Sequence, residues 1–433
     1  MKKKLIALAV ASMFAAPAVA LAAAHTGGGA KAPAPAAASS VTIFGTISSD
    51  FANTSATGQS AAATPGQSAF AGAYSATGAG NIPGRNTINN NSTNIGFRGS
   101  EDLGGGLSAV FQCESGISID AGGSTLCGRN SKVGLVSKTM GEINYGNWDS
   151  PYKLLNISRL DPFYGSSQGA QNALIGSPGH NVITATSGAA VGAASFDLRL
   201  SNSLNYVSPK MGNFTVRATY VANEGKSVVT PVTVDPNAWS VSGIYDAGTW
   251  SLGYAYERHN DMYGVNVIRA AAFVPVAGNS SRDIGHKLGG DVKFGNTTLS
   301  ATWERLDYDS SVAASAGTAT VKSYERRAYA LGVMHKVGAG TIRAGYQNAN
   351  SGSCTRYDGV ACVTGNLGAK LWSVGYSHSL SKRTDLYGFY TQLTNDSDAR
   401  YRMSGAAGSV AALGNVGSGA DPKALALGIR HSF

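Results

Sequence analysis

The side chains that could carry out covalent or metal chemistry in this sequence are few and widely spaced. The segment from Gly165 to Gly169, GSSQG, matches the G-x-S-x-G pattern that presents a serine nucleophile at a strand-to-helix turn. It lies in a stretch rich in Gly and Ser, whereas such a nucleophile also requires a helix and an oxyanion hole. The seven histidines are scattered and form no H-E-x-x-H motif. The sequence therefore predicts no enzyme, no metal site and no cofactor, and a hydrolase stays only as an alternative.

The four cysteines form two close pairs, Cys113 with Cys127 and Cys354 with Cys362. In an exported protein, an even number of cysteines at short spacing predicts disulfide bonds. Four cysteines allow three connectivities, and the short separations favour the two local bridges. Neither pair has the spacing of a zinc site.

The amino-terminal segment has the features of an export signal. Three lysines precede an apolar run (residues 5–16), and small residues follow at positions 18, 20 and 22. This order predicts a cleaved signal peptide over residues 1–22 that directs export through the Sec pathway. Residues 23–39 are rich in Ala, Gly and Pro, which predicts a flexible leader. No later apolar run approaches the roughly 18 residues that a membrane-spanning helix needs, so the sequence excludes helical spans.

Composition and charge exclude several classes of protein. Glycine accounts for 56 of the 433 residues, while cysteine and proline are scarce, which excludes collagen-like and disulfide-scaffold proteins. The 34 basic and 25 acidic residues give a net charge of +9; without the three signal lysines, 31 basic against 25 acidic residues give +6. The basic residues are scattered singly. The sequence therefore predicts no nucleic-acid partner and fits a pore with a preference for anions.

From Ser40 onward, polar and apolar residues alternate in segments of about ten residues. In segment 213–222, for example, Phe214 and Val216 alternate with Thr215 and Arg217. A period of two predicts β-strands with one apolar and one polar face. The segment length matches a tilted membrane-crossing strand, and the polar faces carry charge too often for a packed soluble core.

Sixteen such segments follow one another, an even number, as closure of a membrane barrel favours. They are residues 40–52, 92–101, 106–117, 129–138, 141–149, 196–207, 213–222, 238–247, 249–258, 283–294, 297–308, 322–337, 340–349, 368–379, 383–394 and 423–433. Short turns, such as 102–106, alternate with long polar loops, of which 52–91 is the first. The sequence predicts an all-β fold over residues 40–433: a sixteen-stranded antiparallel transmembrane β-barrel with long outer loops. A soluble sandwich is the lesser alternative, because it needs no charged inner face.

The final segment gives the sharpest local signal. Leu425, Leu427 and Ile429 share one face with the terminal Phe433, and small or polar residues share the other. An aromatic residue at the end of an alternating strand is typical of the interfacial girdle of a membrane barrel.

Several motifs resemble the general porins of Gram-negative bacteria, most closely the betaproteobacterial type. The strongest is GFRGSEDLGGGL, and further matches are SSVTIFGTISSDF, GRNSKVGL, NSLNYVSPKMGNFTVRATY, SKRTDLYGFY and the closing ALGIRHSF. The resemblance covers nearly the whole chain. It implies a homotrimer in the outer membrane, and it implies that Phe433 is part of the signal read by the barrel-assembly machinery.

The resemblance also implies a constriction. In such porins the third outer loop, here about 149–195, folds into the lumen and faces a ladder of arginines on the wall. The segment DPFYG resembles the constriction loop and places Asp161 on it. The matching wall arginines are Arg98, Arg129 and Arg199. Relatives usually have arginine where this chain has Asn94 and Asn147, which predicts a less positive constriction.

The alternation of polar and apolar residues separately indicates which of these side chains face the lumen. Arg98 and Arg199 are out of phase with their apolar neighbours, so both should face water. Arg129 points inward only if a bulge intervenes or the strand begins after it. Lys132 is the inward basic residue by pattern alone, and Glu114 is an inward acid.

Three functions remain open from the sequence. The favoured one is a general diffusion porin for small hydrophilic solutes and ions with a modest anion preference. The alternatives are a substrate-selective channel and a non-transport barrel, either an adhesin or a hydrolase. The expected partners are outer-membrane lipid and lipopolysaccharide, two further copies of the chain, the barrel-assembly machinery with periplasmic chaperones, and small solutes and anions.

Overall fold

The computed structural model describes residues 40–59, 81–156, 160–166, 168–177, 182–184, 188–190, 196–229, 232–262, 280–311, 321–356, 361–362, 364–403 and 416–433. The predicted signal peptide (1–22), the predicted leader (23–39) and Ser167 of the GSSQG motif lie outside the described residues. Within these ranges, no helix is both long enough and apolar enough to cross a membrane.

Sixteen strands form the wall and are numbered here in chain order. Their bounds are β1 Ser40–Thr57, β2 Ile82–Asn90 continued by Asn94–Gly104, β3 Leu107–Ile117, β4 Ser131–Ser137, β5 Gly141–Asp149, β6 Arg199–Val207, β7 Phe214–Val221, β8 Asn237–Asp246, β9 Trp250–Asn260, β10 Ser280–Phe294, β11 Thr297–Ser311, β12 Val321–Val337, β13 Gly340–Ala349, β14 Ala369–Ser379, β15 Thr384–Asn395 and β16 Asp421–Ser432. The connections contain helix α1 (Pro151–Leu155), a 3-10 turn (Gln171–Ala173) and the short strands Ser124–Thr125, Val182–Thr184, Gly188–Ala190, Ser227–Val229, Val232–Val234 and Ser353–Arg356.

Each wall strand pairs antiparallel with its neighbours in sequence, and the ring closes where β16 pairs with β1. The closing ladder runs from the pair Thr46 and Ser432 to the pair Thr57 and Asp421. Because no edge strand is left, the backbone groups of the wall bond to one another. The predicted sixteen-stranded antiparallel barrel is confirmed.

The two faces of the wall differ as the alternation predicts. On β1, Val41, Ile43 and Ile47 are 67%, 58% and 41% exposed on the outside, whereas Ser48 and Asp50 are 3% exposed on the inside. Outward aromatic side chains form two bands, as in membrane barrels. The band near the short turns contains Phe214, Tyr245, Trp250, Phe294 and Tyr376. The band nearer the long loops, the outer girdle, contains Tyr220, Trp239, Trp303, Tyr329, Tyr346, Trp372 and Tyr390.

The first hairpin is longer than the sequence predicts. Strand β1 continues to Thr57, and Ile82–Asn90 pairs with it in the region expected to be loop. A break at 91–93 is bridged by Thr93, whose hydroxyl accepts from the Ser48 N–H at 3.0 Å and donates to the Ser48 carbonyl at 2.8 Å. The extension carries polar residues on its outward face, for example Asn53, so it lacks the apolar signal on which the prediction depended.

Residues 150–156, 160–166, 168–177 and 196–198 of the third outer loop fold against the inside of the wall. Helix α1 starts it, with the Ser150 side chain as N-cap, accepting from the Lys153 N–H at 3.1 Å. Glycines on the wall admit the loop closely: a Cβ at Gly332 would lie 2.7 Å from Pro162, and one at Gly285 would lie 2.8 Å from Phe196. These described residues therefore cross the lumen and pack on β9 to β14.

Both predicted disulfides are present. Cys113 on β3 is bonded to Cys127 in the connection to β4, and Cys354 is bonded to Cys362 in the connection from β13 to β14. Each bridge is local, as the short separations favour, and each closes a loop at the long-loop end of the barrel.

Candidate pore constriction

Glu304 on β11 holds the third loop to the wall. Its fully buried carboxylate accepts from the Tyr152 hydroxyl at 2.8 Å and from the Gly176 N–H at 2.9 Å, and both donors lie on the loop. Arg326 on β12 pairs with the same carboxylate at 2.9 Å and donates to the Leu174 carbonyl at 2.7 Å. Glu304 and Arg326 bond to each other and also to groups of the loop. Their buried charges therefore make all of these hydrogen bonds only when the loop packs against the wall.

Lys287 on β10 completes the buried network. It forms an ion pair with Asp197 of the loop, and its Nζ lies 3.8 Å from a Glu304 oxygen. The same ammonium lies 4.0 Å from the centre of the Tyr152 ring, within the range of a cation–π contact. We call Lys287, Glu304, Arg326, Asp197 and Tyr152 the loop anchor.

Asp161 shapes the innermost turn of the loop. Its carboxylate accepts from the Phe163 N–H at 2.9 Å and from the Gln171 N–H at 2.8 Å, and the residue is 4% exposed. Burial raises its pKa to about 7 against these two hydrogen bonds. Arg343 on β13 donates to the Pro162 carbonyl at 2.8 Å, which fixes the next residue to the wall.

A basic cluster stands where β5 and β6 reach the loop. The Asp149 carboxylate accepts from Lys153 at 2.7 Å and pairs with Arg199 at 3.3 Å. Arg199 also donates to Asn130 at 2.9 Å. Both basic side chains are about one-sixth exposed, with side-chain values of 15% and 16%, so water and solutes reach them.

Arg129 belongs to the same side of the lumen. Its guanidinium pairs with Glu114 on β3, and its backbone N–H donates to the Glu114 carbonyl at 2.9 Å. Strand β4 begins at Ser131, after Arg129. This is the second of the two conditions under which alternation allows Arg129 to face the lumen.

Tyr164, at the inner turn of the loop, faces this cluster. It lines one cavity together with Arg129, Lys153 and Arg199 and is itself 42% exposed. Partial burial in the lumen and the charge of Asp149 raise the pKa of its hydroxyl, while Arg129, Arg199 and Arg430 act in the opposite direction. The candidate constriction is therefore a gap between a neutral phenol and a basic wall.

Arg98 and Lys132 lie nearer the short turns than this gap. Arg98 on β2 and Lys132 on β4 both pair with Gln112 of β3, which is two residues nearer the short turn than Glu114. The Arg98 guanidinium lies 5.0 Å from the centre of the Phe44 ring and is exposed in the lumen. Lys132 pairs with Glu142, and its ammonium lies 4.3 Å from the Trp148 ring. The structure thus brings Arg129, Arg199, Glu114 and Asp161 to the gap, and leaves Arg98 and Lys132 one level away.

Sequence reasoning missed several residues that build this region: Tyr164, Lys153, Asp149, Glu304 and Arg326. Tyr164 lies inside the DPFYG segment and could have been found there. Glu304 and Arg326 occupy inward positions of β11 and β12, but alternation alone does not show which inward charges meet the loop.

The assembled features are a closed sixteen-stranded barrel, an inward third loop and a charged gap. A sequence profile described as Gram-negative porin matches residues 7–398, most of the chain. The chain belongs to the Gram-negative porin family. It is therefore an outer-membrane diffusion porin, a channel of the bacterial outer membrane.

Individual relatives agree with this membership. Outer membrane porin protein 32 of Delftia acidovorans is 28% identical over 364 residues, covering 81% of this chain and 87% of that protein. An outer membrane porin protein of Bordetella pertussis is 25% identical over 345 residues, covering 70% of this chain and 77% of that protein. The solved anion-selective porin from Comamonas acidovorans shares the fold at a TM-score of 0.65 and 22% identity, covering 92% of this chain and all of that one.

Proposed function

We propose that this porin passes small hydrophilic solutes and ions by passive diffusion with a modest preference for anions. The observation that carries the proposal is the gap between Tyr164 and the basic cluster. Three cations, Arg129, Lys153 and Arg199, stand there against two carboxylates, Glu114 and Asp149. Asp197 lines the same cavity but is paired with Lys287. A net positive constriction attracts anions and repels cations.

The preference is modest because the cations are already paired with acids. Asp161 adds a third carboxyl close to the gap, but burial keeps its pKa near 7, so it carries only part of a charge at neutral pH. The chain also has Asn94 and Asn147 where the family resemblance implies arginine, which makes the constriction less positive. The porin of the same fold from Comamonas acidovorans is described as anion-selective, which is the preference proposed here.

Arg98, Arg343 and Arg430 continue the basic side chains towards the short-turn end, where Glu142 pairs with Lys132 and Asp385 lies in the same cavity as Arg343. Arg343 and Arg430 line a second cavity beside the loop turn, together with Tyr387. Family membership makes the short-turn end periplasmic. We infer that anions leaving the gap meet further basic side chains on the periplasmic side.

The proposal includes assembly as a homotrimer in lipid and lipopolysaccharide. The outward face of β1 and β2 supports it, because Asn53 donates to Asn86 at 2.9 Å on the exposed side of the wall. Polar pairs of this kind fit a contact with a second copy better than a lipid chain. A solved outer-membrane protein of Vibrio cholerae with the same fold, OmpT, is described as a trimer form.

Export and insertion complete the proposal. We propose that residues 1–22 are removed as a Sec signal peptide and that 23–39 form a leader ahead of the barrel. Periplasmic chaperones and the barrel-assembly machinery would then read the last strand, which ends in Phe433. No catalytic step is proposed for the chain.

The reversal potential of the purified protein in a planar bilayer under a potassium chloride gradient tests the selectivity. We expect stepwise insertion in triplets and a potential of anion sign. A potential of cation sign would overturn the anion preference and would assign the filter to Glu114, Asp149 and Asp161. No conductance from folded protein would overturn the diffusion pore itself.

A further inference from the structure

Four arginines stand on the outside of four neighbouring strands of the barrel. They are Arg258 on β9, Arg282 on β10, Arg305 on β11 and Arg327 on β12. Alternation fixes their direction, since their chain neighbours, such as Glu257, Glu304 and Arg326, are fully buried inside. We call these four residues the arginine belt.

The belt lies directly beyond the outer girdle. Arg305 follows Trp303 by two residues along β11, and Arg327 precedes Tyr329 by two along β12, in both cases on the side of the long loops. Two residues of a tilted strand span roughly 5 Å along the barrel axis. Aromatic girdles mark the boundary between lipid chains and headgroups, so the belt lies at headgroup level of the outer leaflet.

Acidic side chains in the same face orient the guanidinium groups. Asp309 pairs with Arg282 at 2.9 Å, Asp307 pairs with Arg305 at 2.9 Å, and Glu325 pairs with both Arg305 and Arg327 at 3.0 Å. The side chains of Arg282 and Arg327 nevertheless remain 53% and 57% exposed, and that of Arg305 remains 39% exposed. Pairs as exposed as these add little to folding, and they leave the outer edges of the guanidinium groups open to the surroundings.

We propose that the arginine belt is a docking site for the phosphate groups of a phosphorylated glycolipid in the outer leaflet. A guanidinium presents paired N–H donors that match two phosphate oxygens, which makes arginine the preferred residue for this contact. Basic residues next to the membrane surface also attract anionic lipid headgroups. The proposal rests on the outer-membrane location of the barrel and not on the selectivity of its pore.

A second copy of the chain fits this surface less well than lipid. The polar Asn53 and Asn86 pair proposed to contact other copies lies on β1 and β2, about half the sixteen-strand ring away from the belt. A two-fold contact between the belts of two copies would also place arginines against arginines.

Native mass spectrometry of the full-length protein in detergent tests the proposal with diphosphoryl lipid A as the probe. We expect replacement of Arg258, Arg305 and Arg327 by glutamine to weaken binding at least tenfold. The matched control replaces Lys138, Lys210 and Lys382 by glutamine, which changes the net charge equally at exposed positions of the short turns. We expect the control to bind as the wild type does, and both variants to keep the wild-type conductance.

A second arm uses the wild-type protein and so does not depend on how the variant folds. Chemically dephosphorylated lipid A should bind at least tenfold more weakly than the diphosphoryl form, and binding of the latter should weaken as salt is raised. Equal binding of the two lipids, or unchanged binding by the triple variant, overturns the proposal. A change in oligomer mass in the triple variant also overturns it, because the belt is then a contact between copies. Complete displacement of lipid A by millimolar inorganic phosphate assigns the belt to free anions instead.

Discussion

At the scale of single residues, a small number of charged side chains determines whether the constriction prefers anions or cations. Arg199 donates to Asn130 and pairs with Asp149, which Lys153 also neutralises. If Arg199 is replaced by glutamine, Asp149 keeps one basic partner and the gap loses one of three cations. We therefore expect the chloride-to-potassium permeability ratio to fall by at least half, measured as a reversal potential.

The control for this substitution is Lys382→Gln, which removes one positive charge from an exposed short turn. That turn lies at the mouth of the pore, where ions and water screen the charge. We expect its permeability ratio to stay close to that of the wild type. An equal shift in both variants would show that net charge, and not the gap, sets the selectivity.

Asp161 gives the selectivity a dependence on pH. Burial raises the pKa of this carboxyl to about 7, with Asp197 adding to the shift and Arg343 opposing it. Its negative charge therefore appears between about pH 6 and pH 8, and we expect the anion preference to decline over that range. The replacement Asp161→Asn keeps the position neutral and should remove at least half of the decline. A full decline in the variant would assign the titration to other groups.

Asp161 also makes the stability of the third loop depend on pH. Because the pKa of folded Asp161 lies above its ordinary value of 3.8, its favourable contribution is complete only below pH 3.8. That contribution is lost as the pH rises through about 7. The turn of the third loop should therefore be held more firmly at pH 5 than at pH 8.

The sequence predicted individual site residues only in part, and Arg199 shows why. Its inward direction was predicted from phase opposition to neighbouring leucines such as Leu200. In the structure, Leu200 is buried with Val221 and Ala238, and the register of β5 and β6 shifts between Leu200 and Ser203. Arg199 reaches the lumen beside a bulge, where simple alternation no longer applies.

At the scale of elements, the third loop depends on the loop anchor. Replacing Glu304 by glutamine leaves Arg326 and Lys287 buried without this counter-charge, a change that typically costs about 3–5 kcal/mol. We expect the loop to loosen, so that single-channel current becomes noisier and mean conductance rises. Arg129 and Arg199 lie outside the loop and are untouched, so the sign of the reversal potential should be retained.

Asp309→Asn is the matched control for the loop anchor. It removes one carboxylate from the same strand, but on the outside, where the pair with Arg282 is half exposed. An exposed pair contributes about 0–1 kcal/mol and does not touch the loop. If the Asp309→Asn and Glu304→Gln channels are both as quiet as the wild-type channel, the anchor does not hold the loop.

The strands themselves were predictable because a membrane imposes a strict pattern. All sixteen predicted segments overlap wall strands, since lipid outside and water inside force alternation at each crossing. The rule weakens where the outward face does not meet lipid chains, and there the prediction failed: the pairing of Asn53 with Asn86 lies in a predicted loop. Contacts between the loop and the far wall, such as that of Glu304 with Tyr152, have no periodic signal at all.

At the scale of the whole molecule, closure of the ring places special demands on the last strand. Phe433 and Gly45 exchange two backbone hydrogen bonds at 3.1 Å, and a Cβ at Gly45 would lie 2.7 Å from the Phe433 ring. The glycine therefore leaves room for the terminal aromatic side chain beside β1 at the seam. The terminal residue is 39% exposed and lies at the junction between the first and last strands.

This position predicts a defect in assembly when Phe433 is replaced by alanine. We expect the folded fraction in outer membranes, measured by its resistance to unfolding in cold detergent, to fall several-fold, because the terminal contact of the seam is lost. Phe294→Ala is the control: Phe294 is 61% exposed in the same interfacial band but lies on β10, away from the seam. It removes a similar apolar side chain, so a loss specific to Phe433 points to closure or recognition of the last strand. Equal losses in both variants would mean that only contact with lipid matters.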